Sequence, residues 1–231
     1  VHPSLEQELI IVPVNKIKNI FINVFIDYGN YIIIRNYFRK VGKFPLKFLK
    51  VLYFHILYIK FMNIDVQVIE SDSNSLSKQL IQFIYETNQL NIPALGSLNS
   101  LGHVKELFVD SKYIISVKNE IDYIGFAVVM NNNSNYKSLN YQYFKRKYTD
   151  FLYIDRVAVV NKAQRMGVGS SIYKKLYELN SEVPIPICCE VNTIPLNQQS
   201  LDFHRKQKFI KIEEVKFGKK RGIKSLFIRH L

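Results

Sequence analysis

The chain of 231 residues has 48% hydrophobic and 22% charged residues, proportions that exclude a wholly disordered or a fibrous protein. Its 32 Lys and Arg against 19 Asp and Glu give a net charge of +13, which indicates a polyanionic partner: a nucleic acid, an acidic membrane or a phosphorylated cofactor. The two cysteines, Cys188 and Cys189, are adjacent and cannot form a disulfide framework, so we expect a reducing, cytoplasmic setting.

Residues 1–61 differ from the rest of the chain in composition. Ile, Asn, Lys, Phe and Tyr account for 35 of these 61 residues, and the segment has a net charge of +6. The first methionine is Met62, so one interpretation is translated upstream sequence, with the native protein beginning at Met62. The alternative is a basic membrane-associating arm, although Lys and His side chains interrupt its most apolar stretch, 44–62. We therefore expect an atypical extension, 1–61, without a catalytic role, and a domain at 62–231.

From Met62 onward the sequence has the pattern of a mixed α/β domain. Alternating apolar and polar residues predict a strand at Val66–Glu70. The segment 71–74 supplies helix-capping side chains, and apolar residues four apart then predict an amphipathic helix to about Asn88. The next predicted elements are a loop, a short helix and two strands of a hairpin, at 91–99, 101–109, 112–117 and 121–130.

In the second half of the domain, the sequence pattern predicts a sheet that mixes parallel and antiparallel strands. Residues 131–150 are polar and rich in Tyr and Lys, which indicates a long, mobile loop. The apolar run 151–160 predicts a buried central strand that holds Asp155 and Arg156. A helix, a strand, a helix and two strands then follow, at 167–179, 185–191, 197–207, 209–217 and 224–231. Strand–helix–strand alternation at the centre indicates a parallel pair inside a mixed sheet.

The most informative segment is the turn after the central strand, Gln164-Arg165-Met166-Gly167-Val168-Gly169-Ser170. A helix starts at once after this turn, so successive backbone N–H groups and the positive end of the helix dipole suit a phosphate. The glycines leave room for the anion, and Lys162 adds positive charge. An ordinary tight turn is the alternative, because neither G-x-x-x-x-G-K-[ST] nor a full G-x-G-x-x-G is present.

The same segment matches the Q/R-x-x-G-x-G/A signature of the GNAT acetyltransferases, and the chain from about Ile64 to Leu231 resembles this superfamily. A later stretch resembles the family motif N-x-x-A/S-x-x-x-Y-x-x-x-G-F, through Glu190, Val191, Asn192, Asn197, Ser200, Phe203 and Phe209. His204 and Lys208 depart from that motif, which has Tyr and Gly there. The resemblance implies a three-layer α/β fold, with a mostly antiparallel central sheet, one splayed parallel pair and helices on both faces.

The resemblance also implies a function: an N-acyltransferase that moves acetyl from acetyl-CoA to a primary amine by direct attack in a ternary complex. It implies that the coenzyme A pyrophosphate binds at Gln164–Ser170 and that the pantetheine arm enters between the splayed strands. Backbone groups of Val157 and Val159 would then contact the arm or the thioester carbonyl. The side chains of Asn192 and Asn197 would contact the arm, although Asn197 at a helix start equally suits capping.

Acyl transfer to an amine requires a base for the ammonium, donors for the developing oxyanion and a proton for the leaving thiolate. Asp155 and Glu190, on the two central strands, are the candidate bases. For either, a structural ion pair with Arg156 or another cation is the alternative role. His204 stands where family members often have Tyr, and an imidazole can donate a proton, so it is the candidate acid.

The expected partners are acetyl-CoA and an unidentified amine, and we expect no metal, because the histidines lack metal-ligand spacing. Cys188 and Cys189 are expected in the core, because no organising histidine lies near them in sequence. The basic runs 145–147 and 219–221 support one alternative, a GNAT-like module that binds coenzyme A or nucleic acid without efficient catalysis. We expect no nucleic-acid partner, no membrane association unless 1–61 is native, and a monomer or homodimer.

Overall fold

A computed structural model describes residues 63–71, 76–216 and 222–230 of the chain. This part contains seven strands and five α-helices. The strands are β1 (Asp65–Glu70), β2 (Tyr113–Lys118), β3 (Tyr123–Asn131), β4 (Leu152–Val159), β5 (Ile187–Ile194), β6 (Ile210–Lys216) and β7 (Ile223–Arg229). The helices are α1 (Lys78–Leu90), α2 (Leu101–Asp110), α3 (Leu139–Lys147), α4 (Val168–Leu179) and α5 (Gln198–Lys206). The predicted extension, 1–61, lies outside the described residues, so the domain boundary stays a prediction.

The strands form one sheet in the order β1-β2-β3-β4-β5-β7-β6. All neighbouring strands are antiparallel except β4 and β5, which are parallel and are connected through α4. This arrangement confirms the predicted mixed sheet with one parallel pair. Among the described helices, none combines the length and apolar character that crossing a membrane requires.

Helices cover both faces of the sheet, and each face has its own hydrophobic core. Successive strand residues point to opposite faces, so β4 sends Tyr153 to one core and Ile154 to the other. The α1–α3 face is packed by residues of the first three helices, including Leu80, Ile84, Val104, Leu107, Tyr141 and Phe144. The α4–α5 face is packed by residues of the last two helices, including Val168, Ile172, Leu176, Leu201 and Phe203.

Helix α3 corrects the prediction of a loop over 131–150. Tyr141 and Phe144, one turn apart, are fully buried in the core of the α1–α3 face, so tertiary packing stabilises this short helix. The Tyr141 hydroxyl donates to a backbone oxygen at the end of β3, at 2.7 Å, and to one in the loop that follows, at 3.1 Å. The sequence concealed the helix because aromatic residues favour strands and Ser138 gives it no side-chain cap.

Candidate functional site

The candidate site is organised by an opening between the two parallel strands. Strands β4 and β5 pair only through Leu152–Ile154 and Ile187–Cys189. Each strand continues for five residues past its last pair, while β5 stays paired with β7 on its other side. The first residues past the pairing are Asp155 and Glu190. They therefore flank the closed end of what we call the β4–β5 opening, and its mouth lies where β4 ends.

Backbone groups of β4 face this opening at alternate residues. The Val160 N–H donates to the Ile124 carbonyl oxygen at 3.0 Å, so Val160 faces β3. Because backbone direction alternates along a strand, Val157 and Val159 face the opening. In agreement, the Val159 carbonyl oxygen accepts a hydrogen bond from Gln164 Nε2 at 3.3 Å. The two predicted backbone contacts therefore lie on the strand edge that lines the opening.

A β-bulge sets Asp155 apart at the closed end, because the β3–β4 register skips this residue. Its carboxylate accepts hydrogen bonds from Tyr136 Oη and Arg156 Nε, both at 2.6 Å, and its side chain is 5% exposed. Burial and the adjacent carboxylate raise the pKa of Tyr136, which keeps this phenol protonated. Arg156 Nη1 also donates to Asn88 Oδ1 at 2.8 Å. The ion pair thus joins the bulge to the end of α1.

Glu190 lies among three hydrogen-bond donors on the α1–α3 face. Its Oε1 accepts from Asn140 Nδ2 at 2.5 Å and from Lys224 Nζ at 3.0 Å, and its Oε2 accepts from Tyr153 Oη at 2.5 Å. The Glu190 side chain is 8% exposed and that of Lys224 is 31% exposed. Burial and the Glu190 carboxylate raise the pKa of Tyr153, so its hydroxyl stays a donor. We call these four residues the Glu190 cluster.

Asn140 also presents a buried acceptor to this cluster. Its Oδ1 has no hydrogen-bond partner within the described part of the chain. The donor side of the amide faces Glu190 because a carboxylate accepts hydrogen bonds and repels the amide oxygen. A buried polar atom without a partner costs about 1–3 kcal/mol. The Asn140 oxygen is therefore a buried acceptor without a partner, next to the Glu190 carboxylate.

The glycine turn, Gln164–Ser170, has backbone geometry that suits an anion. Arg165 and Gly167 are both left-handed, with φ of 61° and 86°. Gly167 precedes α4 and gives it no side-chain cap, so the first helical N–H groups point to the space beyond the helix. A Cβ built at Gly167 meets no atom within 4 Å, whereas one at Gly169 lies 3.4 Å from the Phe203 ring. The first glycine is thus open to a ligand, and the second packs α4 against α5.

The side chains of this turn divide between solvent and core. Arg165 and Ser170 are exposed, so positive charge and a hydroxyl lie on its outer side. Val168 is buried in the core of the α4–α5 face, and Met166 is half-buried. Gln164 is half-buried and accepts a hydrogen bond from Gln199 at 3.3 Å. The turn is therefore anchored by its apolar residues and presents its polar ones.

The two asparagines predicted to contact the pantetheine arm have partners within the protein. Asn192 is 9% exposed, and its Nδ2 donates to the carbonyl oxygens of Pro93 at 3.0 Å and Ala94 at 3.4 Å. It therefore holds the α1–α2 loop. Asn197 Oδ1 accepts from the Ser200 N–H at 3.1 Å and so caps α5, the alternative considered for it. A contact of either residue with coenzyme A stays a prediction.

His204 lies in the core of the α4–α5 face and is 3% exposed. Its Nε2 shares a hydrogen bond with Tyr173 Oη at 2.7 Å, and its Nδ1 lies 2.8 Å from the Ser200 carbonyl oxygen. Burial lowers the pKa of His204 to about 4. The surrounding rings are those of Tyr173, Phe203, Phe209 and Phe227. The predicted role as an acid requires a ring nitrogen that is open to the cleft, and both nitrogens have partners inside this core.

Both cysteines lie in the core, and the expected absence of a metal stays a prediction. Cys188 and Cys189 are buried free thiols, which confirms the prediction that they belong to the core. Burial raises the pKa of both, so neither is a thiolate. Within the described ranges, no three His, Cys, Asp or Glu side chains are grouped to hold a metal ion.

Three members of the Glu190 cluster were not predicted from the sequence. Tyr153 had a weak signal, because it lies two residues before Asp155 on a central strand. Lys224 lies two and four residues before apolar residues of β7, so the alternation of a strand places it on the same, inward face. Asn140 had no signal, because its segment was interpreted as a loop.

No model of a known protein family matches the sequence, and no curated protein matches it. Solved structures do resemble it. A GNAT-family acetyltransferase from Streptococcus pneumoniae has a TM-score of 0.53 at 11% identity, over 73% of this chain and 99% of that chain. Ard1 from Thermoplasma volcanium has a TM-score of 0.54 at 16% identity, over 72% of this chain and 97% of that chain. NAA60 from Arabidopsis thaliana, solved with acetyl-CoA, has a TM-score of 0.51 at 12% identity, over 73% of this chain and 99% of that chain. With its seven-stranded sheet and single parallel pair, the described part of the chain has the fold of the GNAT acetyltransferases.

Proposed function

We propose that the protein is an N-acyltransferase that moves acetyl from acetyl-CoA to a primary amine by direct attack in a ternary complex. The observation that carries this proposal is the β4–β5 opening, which has the glycine turn at its mouth and a buried carboxylate at its closed end. Acetyl-CoA supplies an activated acyl group. The chain supplies the anion site, the groove and the proton acceptor.

The glycine turn holds the pyrophosphate in this proposal. Consecutive N–H groups before and at the start of α4 donate to phosphate oxygens, and the helix dipole favours the negative charge. Gly167 suits this position because its φ of 86° disfavours most other residues, and an acidic side chain there would repel the anion. The exposed Arg165 adds positive charge at the rim.

The β4–β5 opening holds the pantetheine arm. The edge of β4 at Val157 and Val159 presents backbone donors and acceptors that an extended amide-containing chain can pair with, as an added strand does. The reactive end of an arm that enters from the mouth then lies at the closed end. There the bulged backbone around Asp155 is the place for N–H groups that stabilise the developing oxyanion.

Glu190 accepts the proton of the attacking ammonium in this proposal. It borders the closed end of the opening, and Asn140 and Tyr153 hold its carboxylate in place. Asp155 is engaged by Arg156 and Tyr136 and acts as a positioning residue for the bulge. No proton transfer is assigned to His204.

The proposal is tested by calorimetric titration of the full chain with acetyl-CoA. Gly167→Glu is expected to weaken binding at least about 100-fold, because it puts a carboxylate against the pyrophosphate. Gly167→Asn keeps the left-handed backbone without added charge and is expected to stay within about tenfold of the native affinity. Gly102→Glu places the same charge in the first turn of α2, where an acid is favourable, and should bind normally.

Unchanged affinity of Gly167→Glu would refute the assigned anion site. Turnover is then measured as release of the coenzyme A thiol with a panel of primary amines, including peptide N-termini, lysine and polyamines. Binding of acetyl-CoA without turnover on any amine would favour the non-catalytic coenzyme A-binding module instead. A cytoplasmic location and a monomeric or homodimeric state accompany the proposal as predictions from the sequence.

A further inference from the structure

Lys224 places a primary amine of the protein itself at the candidate site. On β7 it pairs with Asn192 of β5, and Leu226 and Ile228, at alternate positions after it, belong to the core of the α1–α3 face. Lys224 therefore points to the face on which the Glu190 cluster lies. Its Nζ lies 3.0 Å from Glu190 Oε1, and its side chain stays 31% exposed, so the amine is reachable.

The position of the amine coincides with the place where the proposed arm ends. Ile154 and Cys189 form the last pair of the two parallel strands, and Glu190 is the next residue of β5. An arm that enters from the glycine turn runs along the unpaired part of β4 and stops at this pair. Its terminal thioester then lies beside Glu190, whose carboxylate pairs with the Lys224 amine.

The Lys224–Glu190 pair differs from the other Lys–Glu pairs in the described part of the chain. Glu190 is 8% exposed, whereas the carboxylates that pair with Lys112, Lys175 and Lys211 are 43%, 51% and 42% exposed. The Lys224 amine therefore pairs, at 3.0 Å, with a carboxylate that is shielded from water. Lys224 thus combines an accessible amine with a sheltered base.

We propose that Lys224 is a self-acetylation site of this protein, an inference that rests on the proposed acetyl-CoA function. The Lys224 ammonium gives a proton to Glu190 Oε1, and its freed Nζ forms an amide bond with the acetyl carbon. The carbon–sulfur bond of the thioester breaks, and the sulfur leaves with the bonding electrons and takes up a proton. The products are Nε-acetyl-Lys224 and free coenzyme A, with one proton released to water for each ammonium consumed.

The test incubates the purified full chain with acetyl-CoA and measures acetylation of each lysine by mass spectrometry over time. Lys224 is expected to react at a rate that saturates with acetyl-CoA and does not depend on protein concentration. The internal control is Lys211, which also has a glutamate partner but is more exposed, at 48%. Lys224 should react at least about tenfold faster than Lys211, because its acyl donor is bound beside it.

Acetyl phosphate transfers acetyl without coenzyme A, so it measures the reactivity of each lysine without catalysis by a bound acyl donor. With acetyl phosphate, Lys224 should react no faster than Lys211. Glu190→Gln should slow acetylation of Lys224 about 100-fold and leave Lys211 unaffected. If acetyl-CoA binds in the calorimeter but Lys224 reacts no faster than Lys211, the self-acetylation proposal is overturned and the proposed function stands. If acetyl-CoA does not bind, both are overturned. The self-acetylation proposal would also be overturned if acetyl phosphate acetylated Lys224 as selectively as acetyl-CoA does, because the amine would then be reactive by itself.

Discussion

The two faces of the sheet each bury a titratable side chain, in opposite surroundings. Glu190, on the α1–α3 face, contacts three donors, one of them the Lys224 ammonium. His204, on the α4–α5 face, lies among aromatic rings, and its pKa is lowered by burial to about 4. Burial penalises a charged group unless donors or an opposite charge compensate. One face is therefore built to hold charge and the other to exclude it.

The two faces therefore have different expected roles, one in holding the glycine turn and the other in the reaction. Tyr173 belongs to α4 and His204 to α5, so their hydrogen bond joins the two helices, as does the contact of Gly169 with Phe203. The contact of Gly169 lies at the start of α4, next to the glycine turn, and the hydrogen bond of Tyr173 lies in the middle of the helix. The α4–α5 face thus supports the helix that follows the proposed anion site, while the α1–α3 face carries the groups to which the proposal assigns proton transfer.

The largest expected effect comes from removing the charge on the α1–α3 face. Glu190→Gln keeps the size of the side chain but cannot accept a proton, so turnover should fall by about 10²–10⁴. Affinity for acetyl-CoA should stay unchanged, because Glu190 lies away from the glycine turn. Thiol release under saturating acetyl-CoA and amine measures the first effect, and calorimetry the second.

Glu178→Gln is the matched control for this substitution. It makes the same chemical change at an exposed glutamate of α4 that pairs with Lys175. Its turnover should match that of the native protein. Equal turnover of Glu190→Gln and Glu178→Gln would contradict the separation of the two faces.

A second prediction concerns the buried ion pair of the same face. Arg156→Met leaves the Asp155 carboxylate buried with Tyr136 as its remaining donor, which should destabilise the fold by about 3–5 kcal/mol. Urea unfolding measures the change. The additional substitution Asp155→Asn should recover most of the loss, because it removes the uncompensated charge.

The control for the ion pair is Arg205→Met, at an exposed arginine whose side chain is 71% exposed and pairs with Asp202. Surface ion pairs contribute about 0–1 kcal/mol, so this variant should unfold almost as the native protein does. If Arg156→Met were equally harmless, the α1–α3 face would not depend on charge compensation.

Much of this fold was predictable, because the signals that carry it are local. Strand alternation, the apolar run of β4 and the glycines of the turn each lie within a few residues of one another, and the elements they predict are present. The structure added α3, whose stability depends on contacts of Tyr141 and Phe144 with residues far along the chain. No local pattern encodes such contacts.

The candidate site was less predictable, because motif positions do not tell which face a side chain takes or what it meets there. Glu190 was predicted as a base from its place on a central strand and His204 as an acid from its motif position, and they lie on opposite faces. The partners of Glu190 come from α3, β4 and β7, so their meeting depends on tertiary structure. Short-range sequence patterns identify the Glu190 carboxylate and miss the three side chains that donate hydrogen bonds to it.

The smallest of the expected effects tests the α4–α5 face through its dependence on pH. An unfolded His204 takes up a proton near pH 6.5, whereas the folded protein takes it up only near pH 4. The unfolded state therefore binds more protons between these values, and this residue stabilises the fold fully above pH 6.5 and progressively less as the pH falls to 4. His204→Phe removes that titration, so the native protein should lose about 2–3 kcal/mol relative to the variant between pH 7 and pH 4.5. Urea unfolding at both pH values gives the difference, and the exposed His230→Phe, which keeps His204, should retain the pH dependence of the native protein. A pH dependence shared by native protein and His204→Phe would mean that this face holds the charged imidazolium as readily as the other face holds its carboxylate.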